Sequence, residues 1–321
     1  MSQNCYGILD GQYILEDEIG DGGTANVYKA KDFFSNKYYA VKIFKEYSDT
    51  FEKEVLFNQQ ILQSKNHCHF FIKFISSSLH GTLDKDGFKE TKCYILYELA
   101  SKGDLFNYVF SNKTGLNEKN CKIISYKILK ALQALHEIGI LHRDIKLQNI
   151  LLDGERYDIK IGDFGFFSFI KEENESIFKN EIVGTDEYMP PEVYLKLNYS
   201  GVKSDIYSTG ILLFNLLKCL TPFPIDKKTK KIKFYSFFYH KKEEQYWEML
   251  EGLDLKFSPE FKDLFEKMVR FNPRKRPTIE EILNHNWMKE ITNLNKEEFK
   301  KYEENLISEL KEREEILKKQ K

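Results

Sequence analysis

The sequence lacks any long hydrophobic run, which argues against a membrane-spanning helix. Its longest apolar stretch lies near residues 211–217, far short of the roughly 20 residues that a bilayer requires. The first residues contain no basic region followed by an apolar stretch, and Ser2 stands where N-myristoylation requires a glycine. We therefore expect no membrane attachment.

Cysteine is scarce and net charge is nearly absent. The cysteines, at positions 5, 68, 93, 121 and 219, are odd in number and scattered, which is typical of reduced thiols in a cytosolic or nuclear protein. We expect a cytoplasmic location, with the nucleus as the alternative. A formal net charge of -1 with 31% charged residues disfavours a nucleic-acid binder. The basic and aromatic segment 226–242 could touch nucleic acid, but we interpret it as a solvated loop followed by a helix.

What the sequence does contain favours a large globular protein. Its 321 residues exceed the size at which one hydrophobic core stops growing and suit two apposed lobes. The hydrophobic fraction of 41% and the aromatic fraction of 15% are too high for a chain that is disordered over most of its length.

Residues 141–150, Leu-His-Arg-Asp-Ile-Lys-Leu-Gln-Asn-Ile, place several reactive side chains on one short segment between apolar runs. Loops held by a packed scaffold in this way often carry function. The segment resembles the His-Arg-Asp…Asn catalytic loop of protein kinases, whose Asp accepts the proton of the substrate hydroxyl and whose Asn holds magnesium. The alternative is a solvated loop that matches by accident, and partner motifs in the family order would decide against it.

Two such motifs precede the loop. Gly20-Asp21-Gly22-Gly23-Thr24-Ala25 separates two predicted strands and resembles the kinase glycine loop, with Ala25 at the third glycine position. A dinucleotide-binding fingerprint is disfavoured, because it should open a helix. In the strand 38–44, alternation sends Ala40 and Lys42 to one face. Ala-Val-Lys there resembles the lysine-bearing kinase strand, and a lysine that reaches solvent is the alternative.

Two further motifs follow the loop. Gly162-Asp163-Phe164-Gly165 resembles the kinase Asp-Phe-Gly, whose carboxylate is a hard ligand for a hard cation. The stretch from Gly184 to Glu192 resembles the end of a kinase activation segment, with Pro190 replacing alanine. Lys146 and Thr185 together follow the serine/threonine pattern. In this family, Glu192 pairs with a distant arginine, here Arg276.

The motifs in this order resemble the eukaryotic-type serine/threonine protein kinases, nearest to the calcium/calmodulin-dependent and calcium-dependent kinase catalytic domains. The resemblance implies an α+β, two-lobed kinase fold with an antiparallel β-rich N-lobe and a mainly α-helical C-lobe. We expect an N-terminal tail at 1–12, the kinase domain at 13–288 (N-lobe 13–98, C-lobe 99–288) and a charged helical extension at 289–321.

The resemblance also implies the activity and the site. It implies transfer of the γ-phosphoryl group of Mg-ATP to Ser, less often Thr, of protein substrates, with Mn²⁺ as the alternative to Mg²⁺. The implied catalytic residues are Asp144, Lys146, Lys42, Glu54 and Thr185. The implied metal ligands are Asn149 and Asp163. The implied nucleotide-binding residues are Ile19, Gly20, Gly22, Gly23, Val27, Ala40, Lys42, Tyr97, Glu98, Ala100, Asp104 and Leu151.

Several positions depart from the family pattern. Glu54 is the best match for the glutamate that pairs with Lys42, with Glu52 as the fallback, and Asn58 is polar where an apolar residue is usual. In the family, the arginine at the position of Arg143 contacts a phosphate on the activation segment. Counting back from Thr185, the position of that phosphate holds Glu181 here. We hypothesise that Glu181 supplies that charge permanently; the alternative is a surface glutamate of no consequence.

The remaining departures concern substrates and the end of the chain. Kinases that require paired arginines in the substrate carry acids at the positions of Gln148 and Asn215, and of the acidic positions only Asp104 is acidic here. We therefore expect at most one preferred basic residue in the substrate, about three positions before the acceptor. Phe166 favours Ser over Thr. The helix predicted at 289–321 could dock on the lobe, bind a partner or occlude the site, and we favour docking. A pseudokinase and a small-molecule enzyme remain as alternative classes.

Overall fold

The computed structural model describes residues 5–64, 68–170, 177–178, 181–226, 228 and 232–320. It divides into two compact units. The first comprises Met1–Lys102 with Gly162–Phe167, and the second comprises Gly103–Ile161 with Ser168–Lys321. The division between lobes therefore falls four residues later than predicted, and the segment around Asp163 belongs to the first unit.

The first unit consists of an antiparallel sheet and one long helix. The strands follow the sheet order β1-β2-β3-β4-β6-β5. Their apolar faces bury Leu15, Val41, Tyr94 and neighbours in one core cluster. The elements are β1 (Gly7–Leu9), β2 (Tyr13–Asp21), β3 (Ala25–Asp32), β4 (Tyr38–Phe44), α1 (Asp49–Gln63), β5 (Phe74–Lys85) and β6 (Phe88–Glu98).

Strand β1 corrects the prediction of an N-terminal tail at 1–12. Its residues pair with β2 and with β5, and Leu9 lies opposite both Tyr13 and Leu83. Leu9 is fully buried. Gly7 has a φ of 129°, and a Cβ there would lie 2.7 Å from the carbonyl oxygen of Asp84, so the close approach requires glycine.

Helix α1 starts after Ser48. Asp49 and Glu52 lie in its first turn, where negative charge interacts favourably with the helix dipole. The helix buries a stripe at helical spacing. That stripe consists of Phe51, Glu54, Phe57, Asn58 and Ile61.

The second unit is mainly helical. Among the described residues its helices are α2 (Leu105–Phe110), α3 (Glu118–Glu137), α4 (Pro191–Tyr194), α5 (Gly201–Lys218), α6 (Tyr235–Tyr239), α7 (Glu243–Gly252), α8 (Pro259–Met268), α9 (Ile279–Leu283), α10 (Asn286–Thr292) and α11 (Lys296–Gln320). Its short strands are β7 (Gly103–Asp104), β8 (Ile140–Leu141), β9 (Ile150–Asp153), β10 (Asp158–Ile161), β11 (Ser168–Phe169), β12 (Ile177–Phe178) and β13 (Tyr199–Ser200). They pair as β10-β9-β7, β11-β8 and β12-β13.

Helices α3 and α5 form the centre of the second unit. Helix α3 ends at Glu137, and Gly139 adopts a φ of 78° just beyond it, as expected of a glycine that terminates a helix. Helix α5 is buried almost all round, as its apolar composition predicts. Helix α3 leads into the segment that carries Asp144, Lys146 and Asn149.

Helix α11 packs on α2 and α3 within the second unit. Leu306 and Leu310 are buried, and Phe299 lies against Tyr126 with ring centroids 5.5 Å apart. Glu309 accepts a hydrogen bond from the side chain of Asn120 at 2.7 Å. The predicted extension thus begins within α10, and its long helix spans 296–320.

Helix α11 also buries an arginine. The Arg313 guanidinium donates to the backbone carbonyl oxygens of Tyr108, Val109, Thr114 and Gly115, at 2.7 to 3.3 Å. It also contacts Glu309 at 2.9 Å. These carbonyls lie at the C-terminal end of α2 and in the loop that follows, where helical carbonyls lack partners within the helix.

Part of the predicted segment 226–242 lies outside the described residues, at Lys227 and 229–231. The helix predicted after that loop is present as α6, which buries Tyr235 and Phe238. Across the described part of the chain, no helix combines the length and apolarity needed to cross a bilayer.

Candidate functional site

In the first unit, Lys42 lies between two carboxylates. Its Nζ is 2.9 and 2.7 Å from the two carboxylate oxygens of Glu54, and 2.9 Å from Oδ1 of Asp163. Burial by itself lowers the pKa of Lys42, but the charges of Asp163 and Glu54 outweigh it and raise that pKa. The lysine is therefore a fixed positive charge.

The structure pairs Lys42 with Glu54 and not with the fallback Glu52. Glu54 is 1% exposed, and burial raises its pKa while the neighbouring ammonium opposes the shift. Glu52 accepts a hydrogen bond from the Tyr47 hydroxyl at the exposed edge of the helix. The pair of Lys42 and Glu54 is therefore intact.

The polar residue Asn58 finds its partners one turn away and on strand β6. Its Nδ2 donates to the backbone carbonyl of Glu54 at 2.7 Å and to the Tyr97 hydroxyl at 2.8 Å. The same hydroxyl donates to Oε1 of Glu54 at 2.8 Å. The sequence marks Asn58 as unusual, but for Tyr97 it predicts only a place among the nucleotide-binding residues.

Aromatic packing fixes the Asp-Phe-Gly segment within the first unit. The Phe164 ring stacks on Phe57 with centroids 3.7 Å apart, and Phe71 meets it edge-on at 5.9 Å. Asp163 has a φ of 56°, which is uncommon for a residue other than glycine and is found at functional sites. Its side chain is 46% exposed, so solvent reaches the carboxylate.

The glycine loop is shorter than the sequence motif suggests. Strand β2 continues to Asp21, so Gly20 pairs with Val27 inside the hairpin and the turn is formed by residues 22–24. The Gly22 N–H donates to the carbonyl of Ala25 at 3.0 Å. A Cβ at Gly23 would meet nothing within 4 Å, so the tip of the turn is open for a ligand to approach the backbone.

Other predicted nucleotide-binding residues lie on strands β2, β4 and β6 or directly after β6. Ile19 is 49% exposed on β2, and Ala40 lies opposite Tyr97 in the sheet. The Glu98 N–H donates to the carbonyl of Lys73. Ala100 follows the end of β6 within the first unit.

In the second unit, the Asp144 carboxylate receives hydrogen bonds from three side chains. Thr185 Oγ1 donates to Oδ1 at 2.8 Å, Lys146 Nζ lies 2.8 Å from Oδ2, and Asn149 Nδ2 lies 3.2 Å from Oδ2. Lys146 also donates to the Thr185 hydroxyl at 2.8 Å. The structure therefore brings these four predicted residues together.

The backbone before Asp144 is held by helix α5. The buried Asp205 carboxylate accepts hydrogen bonds from the N–H groups of His142 and Arg143, at 3.1 and 2.8 Å. Arg143 has a φ of 64°, a conformation that persists only where surrounding contacts enforce it. The Asp205 carboxylate at the start of α5 therefore fixes the backbone of this loop.

Arg143 also meets an acid of the activation segment. Its Nη1 lies 2.7 Å from Glu181 Oε2. Its guanidinium stacks 4.4 Å from the centroid of the Phe178 ring and lies 3.4 Å from the Tyr199 hydroxyl. A Cβ on Gly184 would lie 2.7 Å from the Arg143 carbonyl oxygen, so that glycine is required where the segment passes the loop.

The predicted pairing of Glu192 with Arg276 is confirmed. Both carboxylate oxygens of Glu192 accept from the guanidinium, at 2.6 and 2.7 Å, and both side chains are buried. A bidentate pair of this kind adds directional specificity to the attraction.

Three residues that the sequence analysis singled out lie in structural contacts of the second unit. Asp104 caps helix α2 by accepting from the backbone N–H of Asn107 at 3.0 Å, and burial raises the pKa of its carboxyl. Leu151 lies on β9 opposite Asp104. Asn215 is buried and its carboxamide lies 2.8 Å from the Tyr188 hydroxyl.

The two predicted metal ligands, Asn149 and Asp163, both carry oxygen donors. Asn149 uses its amide nitrogen on the backbone carbonyl and carboxylate of Asp144, which leaves the amide oxygen as its acceptor. Asp163 supplies a carboxylate. Each of these oxygen donors, taken by itself, suits a hard divalent cation. Among the described residues no group of three or more His, Cys, Asp or Glu forms a separate metal cluster.

Comparison with known proteins agrees with this geometry. The model of the protein kinase domain family matches residues 13–288. The chain is 29% identical to CBL-interacting serine/threonine-protein kinase 13 of Arabidopsis thaliana over 282 residues, covering 88% of this chain and 52% of that protein. It is 29% identical to NUAK family SNF1-like kinase 1 of Homo sapiens over 283 residues, covering 87% and 39%.

A third relative is CBL-interacting serine/threonine-protein kinase 7 of Arabidopsis thaliana, 30% identical over 288 residues, covering 88% of this chain and 61% of that protein. The chain thus spans only part of the length of the curated relatives that it matches. The predicted two-lobed kinase fold is confirmed, whereas the nearer resemblance to calcium-dependent kinases stays a prediction. From its motifs, its β-rich and helical units and this match, the chain belongs to the protein kinase domain family.

Proposed function

We propose that the chain is a serine/threonine protein kinase, which transfers the γ-phosphoryl group of ATP to protein hydroxyls, Ser more often than Thr. The observation that carries the proposal is the Asp144 carboxylate, which is 2% exposed and receives Thr185, Lys146 and Asn149 at once. Such contacts fix a carboxylate in the orientation needed to accept a proton from a hydroxyl.

The nucleotide is bound by residues that include the glycine hairpin and Lys42. Lys42 is a permanent cation, and Glu54 and Asp163 hold its ammonium in place, so it can contact phosphate oxygens without rearrangement. The open tip at Gly23 lets backbone N–H groups approach the phosphates. The ring of Tyr97, Ala40, and the backbones of Glu98 and Ala100 contact the adenine.

Asp144 accepts the proton of the acceptor hydroxyl as the oxygen attacks the γ-phosphorus. The bond from that phosphorus to the β–γ bridging oxygen breaks, and ADP leaves with the electron pair. Lys146, which contacts both Asp144 and Thr185, stabilises the negative charge on the transferred group. Because phosphoryl transfer needs little covalent help from the protein, most of the rate acceleration comes from such positioning and electrostatics.

Asn149 and Asp163 are the proposed ligands of the divalent cation, Mg²⁺ with Mn²⁺ as the alternative. When bound, the ion neutralises charge on the phosphates. The side-chain oxygens of these residues suit either ion. The phosphotransfer assay should therefore depend on added divalent metal, and chelation by EDTA should abolish it.

Activity is tested with radiolabelled ATP and generic Ser- and Thr-containing peptides. Asp144→Asn should lower kcat by about 10²- to 10⁴-fold, the contribution of general-base catalysis, with ATP binding retained. Asp158→Asn, the same substitution at an exposed aspartate of β10, should leave kcat unchanged. Equal rates for Asp144→Asn and the wild type would reject the proposal.

The contact between Arg143 and Glu181 supports the hypothesis that this kinase needs no phosphate on its activation segment. Glu181 supplies a charge that a phosphate would otherwise supply. Protein shown by mass spectrometry to be unphosphorylated should be active, and Glu181→Gln should lower its activity. Glu187→Gln, at an exposed glutamate of the same segment, is the matched control. An unphosphorylated protein without activity would contradict the hypothesis.

Substrate choice follows from the residues that surround the acceptor. Phe166 is 41% exposed after the Asp-Phe-Gly motif, and a bulky residue there favours Ser. Gln148 is exposed and uncharged, and Asn215 is buried, so paired arginines find no paired acids. A peptide array should show at most one basic preference, about three positions before the acceptor; a profile of two adjacent arginines, or of Thr, would contradict this.

We further propose that helix α11 is a docked part of the protein, supported by its buried Arg313 and Leu310. A cytoplasmic location, with the nucleus as alternative, is supported by free thiols at Cys5, Cys93, Cys121 and Cys219 among the described residues. Fractionation of cells that produce a tagged protein tests the location.

A further inference from the structure

One turn of helix α1 contacts three separate parts of the first unit. Glu54 meets Lys42 on β4, Phe57 stacks on Phe164, and Asn58 meets Tyr97 on β6. Positions i, i+3 and i+4 share one face of a helix. The rotation and height of this single turn therefore set all three contacts together.

Asn58 gives the Tyr97 hydroxyl a direction. A buried amide without partners is unfavourable, and Asn58 is 2% exposed. Its Nδ2 donates to the hydroxyl at 2.8 Å. A phenol has one proton, so the hydroxyl, while it accepts from Asn58, donates that proton to Glu54 Oε1, 2.8 Å away.

The hydroxyl remains a donor at any physiological pH. Burial, followed by the charge of Glu54, raises the pKa of Tyr97 well above its usual value of 10.0. Among the described residues, Oε1 of Glu54 thus accepts from both Tyr97 and Lys42, while Oε2 accepts from Lys42. Without the hydroxyl, the carboxylate would be held by the lysine that it is meant to position.

We propose that Asn58 and Tyr97 are positioning residues, whose hydrogen-bonded pair joins α1 to β6 and fixes the Glu54 carboxylate so that it holds Lys42 in its productive geometry. The inference rests on the proposed kinase function. The Tyr97 ring and its hydroxyl have separate roles: the ring lines the nucleotide site, and the hydroxyl acts through Glu54.

The test uses Tyr97→Phe, Asn58→Leu and the double variant. Each single variant should lower kcat by about tenfold, as expected when a hydrogen bond to a charged group is lost. The KM for ATP should change less than about threefold, because Lys42 is misplaced for the transition state more than for binding. Both single variants should also melt at a lower temperature.

The double variant separates positioning from stability. Replacing both polar partners by apolar groups of similar size is close to neutral for folding, so its melting temperature should return toward that of the wild type. Its kcat should stay low, because Glu54 still lacks its second support. Recovery of kcat together with stability would show a purely structural pair and would overturn the proposal.

Tyr94→Phe is the matched control on the same strand. Tyr94 is 6% exposed, and its hydroxyl donates to Oδ2 of Asp10 at 2.8 Å. This variant loses a comparable tyrosine–carboxylate hydrogen bond that does not touch Glu54. It should melt at a lower temperature but keep the wild-type kcat; a kcat as low as that of Tyr97→Phe would overturn the proposal.

A spectroscopic readout keeps this test independent of catalysis. In protein labelled with ¹⁵N-lysine, the ammonium signal of Lys42 is assigned by its absence from Lys42→Arg. The signal should shift or broaden in Tyr97→Phe and in Asn58→Leu, but not in Tyr94→Phe. An unchanged signal in Tyr97→Phe would refute the positioning role, whether or not the wild type is active. An inactive wild type would reject the kinase proposal by itself.

Discussion

Arg313 of helix α11 offers the sharpest test of how the second unit is held together. Its guanidinium is buried and donates to carbonyls at the end of α2 and in the loop that follows. Arg313→Met keeps most of the aliphatic length but removes every donor. The four carbonyls would then lose the guanidinium as a donor, although Tyr108 would keep the Ser111 hydroxyl. Glu309 would lose its ion pair.

The expected loss of stability is large. Removing a buried charged group that satisfies several partners destabilises by about 3–5 kcal/mol. For a unit of this size, each 1 kcal/mol lowers Tm by about 2–4 °C, so we expect a decrease of roughly 6–20 °C. Arg313→Lys should fall between Met and the wild type, because an ammonium cannot reach the same set of acceptors.

Tryptophan fluorescence is a suitable assay. The chain has two tryptophans, Trp247 and Trp287, and both are buried in the second unit, so the signal reports the unfolding of that unit. The control is Lys318→Met on the same helix, where the lysine is 59% exposed beside Glu314 and Glu315. Surface pairs contribute little. A Tm for Arg313→Met equal to that of this control would refute the reasoning.

Two further predictions concern the second unit. Gly184→Ala should abolish most peptide phosphorylation, because a Cβ would clash with the Arg143 carbonyl and the φ of Gly184 is 102°. Gly252→Ala, where no atom lies within 4 Å of the added Cβ, should leave the rate unchanged. A wild-type rate for Gly184→Ala would contradict this prediction. Burial raises the pKa of Glu266, although the Trp247 indole N–H opposes the shift, so its carboxyl favours folding at low pH and opposes it as pH rises. Glu266→Gln should therefore raise Tm at pH 7.5 more than at pH 4.5 by circular dichroism; the opposite order would contradict this.

Much of the first unit could be predicted because its signals are local. Alternation along β4 placed Lys42 on the opposite face of the strand from Val41, which lies in the core cluster. Strand β1 was missed because three residues carry little pattern and one of their partners, Leu83, lies more than 70 positions away.

The site was predictable where a motif names a residue and unpredictable where a partner depends on folding. The sequence marked Glu54 and Asn58, but only the fold brings the Tyr97 hydroxyl to both. Arg313 carried no signal at all, since its acceptors are backbone carbonyls about 200 positions earlier. Asp104 matched a family position, yet a helix cap is a second reason for an aspartate there.

The buried guanidinium of α11 shows that the end of the family match and the end of the folding unit are different positions in this chain. The family match ends at residue 288, whereas the carbonyls after α2 depend on a side chain 25 residues beyond that point. A protein trimmed to the matched region would keep every catalytic motif, but it would lose the Arg313 donors to Thr114 and Gly115 and the ring contact between Phe299 and Tyr126. For this chain, the family match delimits the shared chemistry, and helix α11 extends the folding unit beyond it.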